Sequence, residues 1–263
     1  MRPVPVLTYH HVNEHKGDMV TVLPEVFEQQ MRYLSKAGYR TLKADELLSF
    51  INGGLFLDEK AVMITFDDGW LDNYVYAFPI LRKYNINVAV CITTDWIEKT
   101  SENTIDLNAR IPDHNESYSL VKRGEGHKVV LNWELAKEMS ESGLVEFYSH
   151  TKSHRKCHHL SADELEEELE GSKRIMEERL GRPCIALCWP FGRNNDFSMK
   201  IARDNGYSLL FTTKNGIVKK GSDPYAINRI SVKDSVFWFR KSMLIYSSSL
   251  LSTWYIYLKG WKK

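Results

Sequence analysis

Two short stretches of this chain hold residue types that do chemistry together. Thr65-Phe66-Asp67-Asp68-Gly69-Trp70 puts two adjacent carboxylates at the end of an apolar run. Ser149-His150-Thr151-Lys152-Ser153-His154, about eighty residues later, puts two imidazoles four positions apart at the end of another. One carboxylate and two imidazoles make a three-ligand set for a divalent metal with a position left open. The second carboxylate is then free to act as a base on water beside that metal. The implied chemistry is metal-assisted hydrolysis, and it needs a scaffold that gathers distant segments of chain.

Each signal has a plainer alternative. Asp67 and Asp68 also suit the N-cap of a helix after Gly69. Adjacent residues at a strand end point in different directions, so one Asp can ligate while its neighbour faces the reacting water. His150 and His154 share a face if their segment is helical. His158 and His159 follow closely, but a set built on His158 leaves His150 unexplained. His10 and His11 adjoin at the end of the first strand, where alternation lets only one face a barrel mouth. Pro190-Phe191-Gly192 reads as a turn, or as a backbone N–H aimed at a developing oxyanion.

The elements that must position these residues alternate along the chain. Apolar, β-branched runs at 4–9, 39–42, 61–66, 86–93, 144–148, 184–189 and 207–212 predict strands. Helical patterns predict helices at 25–37, 45–51, 73–84, 133–142, 161–180 and 196–205. Pro24 and Gly38 bracket the first, and Ser161 with Glu164 forms a capping box for the longest, which Gly181 closes. Strand-then-helix repeated about seven times argues for an α/β fold with a mainly parallel sheet, close to a closed β/α barrel. A doubly wound open sheet is the second architecture the pattern allows. Tyr9-His10, Asp67-Asp68, His150 and Trp189-Pro190-Phe191-Gly192 each fall at the C-terminal end of a different predicted strand, the face where barrel chemistry gathers. A long polar connection at 97–128 reads as a loop over that face.

Composition narrows the classes. With 263 residues, 43% hydrophobic and 26% charged, the chain is ordinary globular sequence, and a net charge of +1 gives no field that favours nucleic acid. Cys91, Cys184 and Cys188 lie in apolar runs and read as small buried hydrophobes rather than a disulfide framework. The Cys184–Cys188 spacing could also serve a soft metal, but core packing is favoured. The N-terminus has no signal-like apolar stretch, so the expected location is cytoplasmic.

Thr65-Phe66-Asp67-Asp68-Gly69, His150-Thr151-Lys152-Ser153-His154 and Trp189-Pro190-Phe191-Gly192 together resemble the first three motifs of the polysaccharide deacetylase family, the NodB homology domain, in order and spacing. The likeness spans roughly residues 4–232. It implies a distorted (β/α)7-type barrel in a single domain that removes N-acetyl groups from a sugar or glycan with a divalent metal, most often zinc. N-formyl or O-acetyl substrates share such a site, and a catalytically silent carbohydrate-binding barrel is the alternative outside enzymology. Carried across, the resemblance makes Asp68, His150 and His154 the metal ligands and Asp67 the general base. No late Leu-x-His motif is present; Leu7-Thr8-Tyr9-His10 resembles the circularly permuted branch and makes His10 the general acid. Pro190, Phe191, Trp133 and Arg193 are the implied oxyanion and substrate contacts. The usual arginine two positions before the motif-three proline aligns with Cys188, leaving Arg193 as the substitute partner for Asp67. The usual Asp-Trp reads Asn132-Trp133, which leaves His10 without an acidic partner and implies a lower pKa for it.

The chain divides, on this reading, into a barrel over 1–240 and an aromatic, basic tail over 241–263. On one helical wheel Met243, Leu250, Leu251, Trp254, Tyr257, Leu258 and Trp261 cluster opposite Ser248, Ser249, Ser252 and Thr253, flanked by Arg240, Lys241, Lys259, Lys262 and Lys263. Such a helix suits peripheral contact with the inner face of the membrane, and then a lipid-linked or nascent envelope saccharide as substrate. Packing on the barrel is the equal alternative.

Overall fold

The continuous apolar runs are strands buried on both faces, as parallel strands covered by helices must be. A computed structural model describes residues 2–15 and 18–260, the side chains of 256–260 excepted. The chain opens with β1 (Val6–Tyr9) and a small parallel pair, β2 (His11–Val12) and β3 (Thr21–Val22). Then come α1 (Pro24–Lys36), β4 (Arg40–Thr41), α2 (Ala44–Ile51) and β5 (Ala61–Phe66), all six of whose residues are buried. A π-turn over Asn73–Ala77 leads into α3 (Phe78–Tyr84), β6 (Val88–Ile92) and α4 (Thr94–Thr100). After α5 (His114–Lys122), α6 (Trp133–Glu141) and β7 (Val145–Ser149) follow α7 (Ala162–Leu180), β8 (Ala186–Cys188), α8 (Asp196–Asp204), β9 (Leu209–Phe211) and β10 (Ile230–Ser231). The helices α9 (Val236–Tyr246) and α10 (Ser249–Gly260) end the chain.

Strands pair in the order β10-β1-β5-β6-β7-β8-β9, with β4 on β5, all parallel. A parallel bridge from Phe211 to Ile227 carries the curl on toward β10. The result is a curled parallel sheet of the distorted β/α barrel kind in one domain. Each of the seven predicted runs overlaps one of these strands. Register explains which residues meet inside. Thr65 pairs with Ala89, Ala89 with Glu146, and Cys91 with Tyr148. Two residues further toward the C-terminal ends the same inner face carries Asp67, Cys91 and Tyr148, and His150 follows two beyond Tyr148.

Three expectations change. The connection at 97–128 is not loop throughout. Asp113 caps α5 by accepting from the Glu116 N–H at 3.0 Å, and Ser117 and Leu120 are buried. The Cys91 and Cys188 thiols are joined as a disulfide, with Cα atoms 6.1 Å apart. These cysteines sit on strands either side of β7, and the curl brings their inner faces together, which sequence spacing does not show. Cys184 is instead a free buried thiol, pushed up to about 12 by burial, beside Met176.

The third change concerns the tail. Helix α9 starts at its Ser235 cap and crosses residue 240 without a break. Phe239, Met243 and Tyr246 are buried. The Phe239 ring meets Tyr33 of α1 edge-on at 6.2 Å, and the Tyr39 hydroxyl is hydrogen-bonded to Ser247 at 3.1 Å. A single wheel fails because the chain turns at Ser247 and Ser248 and resets the helical phase: Met243 faces in while Leu250 and Trp254 face out. The expected contributions of Tyr257, Leu258, Lys259, Trp261, Lys262 and Lys263 lie outside the described side chains.

Candidate active site

The C-terminal ends of β5 and β7 bring Asp68, His150 and His154 together. Asp68 Oδ1 lies 3.3 Å from Nε2 of His150 and 3.3 Å from Nε2 of His154. His154 reaches it from a loop, not from a helix as the His-x-x-x-His spacing suggested. Thr151 and His154 both take positive φ, 66° and 61°, which folds the loop back on itself. Five non-glycine residues have positive φ among those described, and four of them, Asp68, Thr151, His154 and Phe191, sit in the three motifs. Backbone strain of this kind gathers where geometry serves function.

The three donors fit a divalent metal. Tetrahedral zinc with ligands at about 2.0–2.2 Å sets its donors roughly 3.3–3.6 Å apart, which matches both distances. His150 Nδ1 is 2.7 Å from the Cys188 carbonyl, so it carries the proton and leaves the Nε2 lone pair facing Asp68. The Trp70 indole N–H donates to Asp68 Oδ2 at 2.9 Å, leaving Oδ1 toward the imidazoles. Charge points the same way. Burial alone would raise the Asp68 pKa, yet the two histidines hold it well below the carboxylate range. Burial would lower that of His150, yet Asp68 and Asp67 raise it. A buried, negative cluster of lone pairs asks for a cation.

Asp67 faces a different partner from the one the sequence suggested. Arg229, fully buried, forms a two-pronged ion pair with it: Nη1 to Oδ1 and Nη2 to Oδ2, each 2.7 Å. Arg229 also donates to Thr65 Oγ1 at 3.1 Å and to the Thr212 carbonyl at 2.9 Å, and its Nη1 lies 3.4 Å from Cys188 Sγ. The guanidinium therefore lies against the very cysteine that stands where the family arginine is usual. Arg193 is exposed and does not supply the pairing. Burial opposes ionisation of Asp67, but Arg229 together with His150 and His10 outweighs it and holds the pKa below the ordinary value. This Asp is ionised at neutral pH and fixed in orientation.

His10 stands on the other side of Asp67, Nε2 to Oδ2 4.0 Å, too far for a hydrogen bond and free to meet a substrate. Its carbonyl accepts from Asn73 Nδ2 at 2.8 Å, which ties β1 to the segment after β5. Burial lowers its pKa more than Asp68 and Asp67 raise it. A cavity of about 510 Å³, lined by His10, Thr8, Tyr9, Met19, Thr21 and Lys233 among others, opens beside it.

His11 turns away, as alternation requires. Its Nδ1 meets Asp72 Oδ2 at 2.6 Å, its Nε2 meets His114 of α5 at 3.1 Å, and its ring stacks on Trp70 at 4.7 Å. Burial works against its charge, but Asp72 raises its pKa. Asp72, His11 and Trp70 thus form a chain of contacts ending on Asp68. Trp96, Tyr118 and Phe191 pack their rings around His154 at 5.2, 6.3 and 4.8 Å. Phe191 is half exposed, follows the buried Pro190 and has φ 59°.

Two expected residues have other duties. Asn132 caps α6 by accepting from the Leu135 N–H. The Trp133 indole is buried and donates to Glu98 at 2.5 Å, with Arg179 over its ring. Sequence reading missed the role of Arg229, which stands in the stretch Ile227-Asn228-Arg229-Ile230-Ser231 that corresponds to the absent late Leu-x-His motif, and the support that Trp70 and Asp72 give. A tryptophan directly after Asp-Asp-Gly was the available signal for Trp70.

Comparison with known proteins agrees with this arrangement. Residues 57–210 match the family model described as polysaccharide deacetylase, and the chain belongs to that family. It is similar to YxkH of Bacillus subtilis, 28% identical over 229 residues that cover 87% of this chain and 71% of that protein. The poly-β-1,6-N-acetyl-D-glucosamine N-deacetylase of Staphylococcus epidermidis is 26% identical over 227 residues, 82% of this chain and 70% of its own length. Among solved structures, the Streptococcus pyogenes deacetylase PplD in complex with acetate superposes with a TM-score of 0.78 at 26% identity, covering 92% of this chain and 98% of that one.

Proposed function

We propose that this chain is a metal-dependent N-deacetylase of an N-acetylated glycan. The observation that carries the reading is one geometry: Asp68, His150 and His154 converge on one point while Asp67, clamped by Arg229, and His10 stand beside it. A divalent ion held by Asp68, His150 and His154, with zinc the best fit, would supply a Lewis acid that acidifies water and polarises the acyl oxygen. Asp67 accepts the water proton on a carboxylate lone pair that Arg229 leaves free as the water oxygen bonds to the acyl carbon. The backbone N–H of Phe191 is the donor offered to the acyl oxygen as charge develops there. His10 gives its Nε2 proton to the sugar nitrogen as the carbon–nitrogen bond breaks, and acetate and a free amine leave.

The cavity beside His10 suits a glycan held on the leaving-group side. The likeness to a poly-N-acetylglucosamine deacetylase supports an acetylated amino sugar as substrate class. A lipid-linked or nascent envelope saccharide is the form we favour, and the outer surface of α9 and α10 supports it. The sequence argument for a silent barrel was a base without its arginine and an acid without its aspartate; Arg229 answers the first, while Asn132 still stands at the second.

Metal content comes first, by elemental mass spectrometry of zinc-loaded, desalted protein. Asp68→Ala and His150→Ala should lose the metal and acetate release together. Asp67→Asn should keep the metal while the rate falls by about 10²–10⁴. Near-normal turnover in Asp67→Asn would refute its role as base.

A further inference from the structure

We propose that α9 and α10 form a docking surface for an anionic lipid bilayer, on which the protein lies without crossing it. The two helices expose large apolar side chains on their outer surface while serines, together with Phe239, Met243 and Tyr246 of α9, are buried. Ser242, Ser247 and Ser252 are buried, Ser252 completely, while Leu250, Trp254 and Leu251 are 82%, 65% and 50% exposed. On α9, Phe237 and Leu244 are likewise exposed, at 79% and 60%. Phe237, Arg240, Lys241 and Leu244 follow the i, i+3, i+4, i+7 spacing of one helix face, and all four are exposed. That face therefore mixes large apolar groups with cations.

The charge pattern selects the occupant. Residues 235–263 contain Arg240, Lys241, Lys259, Lys262 and Lys263 and no Asp or Glu. Lys219 adds a further cation beside α10, its Nζ 3.3 Å from Thr253. A second copy of this chain would bring the same cations face to face, whereas an anionic lipid surface complements both the cations and the apolar side chains. Tryptophan and leucine beside basic residues suit the boundary between headgroups and acyl chains. No described helix is long and apolar enough to cross a membrane, so the geometry is that of a helix pair lying on the surface.

The test is flotation of the full-length protein with phosphatidylcholine vesicles, with and without phosphatidylglycerol. Binding should require phosphatidylglycerol and weaken with salt. Leu250→Ser/Leu251→Ser/Trp254→Ser should lower the partition coefficient by at least about a hundredfold, and Arg240→Gln/Lys241→Gln by about thirtyfold. Both variants should keep the melting temperature of the parent, since every substituted side chain is exposed. Failure of the parent to float on anionic vesicles overturns the proposal. So does undiminished flotation of the triple variant. A concentration-dependent dimer that the triple variant abolishes, without lipid binding, assigns the face to a second copy and overturns it equally. None of these readouts depends on catalysis, so the outcome stands apart from the deacetylase reading.

Discussion

The barrel mouth and the terminal helix pair both invert the usual partition of residues, in opposite ways. At the mouth, charged groups are buried: Asp67, Asp68, His150 and Arg229 are each 5% exposed or less. On α9 and α10, large apolar groups are exposed while serines are buried. The mouth settles most of its electrostatics internally. Arg229 neutralises Asp67, Asp72 holds His11, and the Asp68–His150–His154 cluster is left to take a charge from outside the chain. The helix pair packs Phe239, Met243 and Tyr246 inward beside buried serines, and directs Phe237, Leu244, Leu250, Leu251 and Trp254 outward. An inverted region whose groups find partners within the chain is architecture. Where the partners must come from outside, the region points to a ligand or a surface.

The sharpest way to break that distinction is Arg229→Met. If the Arg229–Asp67 pair is internal architecture, removing one partner leaves a buried charge uncompensated, at about 3–5 kcal/mol. The sign with pH follows from the balance at Asp67, where burial raises the pKa and Arg229, with His150 and His10, more than offsets it. In the parent the depressed pKa contributes stability above the unfolded carboxylate value, lost as pH falls. Without the guanidinium burial wins, and the folded pKa rises above the unfolded one. The penalty should then be full at neutral pH and shrink as pH falls through the raised value, when Asp67 takes up a proton. Urea denaturation of metal-free protein at neutral and mildly acidic pH reads both effects. An Arg229→Met variant as stable as the parent at neutral pH would show that the ion pair holds nothing in place.

Arg229 also marks where sequence reading stopped. The strand ends were legible because short apolar runs ended in Asp-Asp, His and Pro-Phe-Gly, and period-two alternation turns alternate residues inward. Asp68, His150 and His154 were legible as a chemical set, but the left-handed residues that assemble them are not, since the β-branched Thr151 is a type that rarely takes positive φ and a histidine takes it only in a minority of positions. Arg229 was illegible for another reason. It lies 162 positions from Asp67, and only the curl of the sheet brings it there. The Cys91–Cys188 contact was hidden in the same way. In the tail, the composition was legible but the phase was not, because the turn at Ser247–Ser248 breaks the wheel.

A smaller effect tests how far the mouth's internal support reaches the metal cluster. Trp70→Phe keeps a ring against His11 but removes the N–H that occupies Asp68 Oδ2. Freed from that contact, the carboxylate can rotate and present either oxygen, so zinc affinity should fall by about 10–100-fold, measured by chelator competition. Unchanged affinity would show that Asp68 is oriented by its own left-handed backbone, φ 76°, and that Trp70 merely packs.

The smallest effects decide whether the helix pair is as inverted as it looks. Ser252 is completely buried, and its hydroxyl donates to the Ser249 carbonyl at 3.3 Å. Ser252→Leu adds bulk where the neighbours already touch and should destabilise by about 1–3 kcal/mol. Leu250→Ser removes an exposed side chain and should shift stability by no more than about 0.5 kcal/mol. Hydrophobicity alone predicts the reverse order, since leucine is the better core residue and serine the better surface one. Thermal melts of the two single variants therefore read the rotation of α10 directly. If Leu250→Ser proves the damaging change and Ser252→Leu is neutral, α10 lies with its leucines on the barrel, and the outward apolar surface ends with α9.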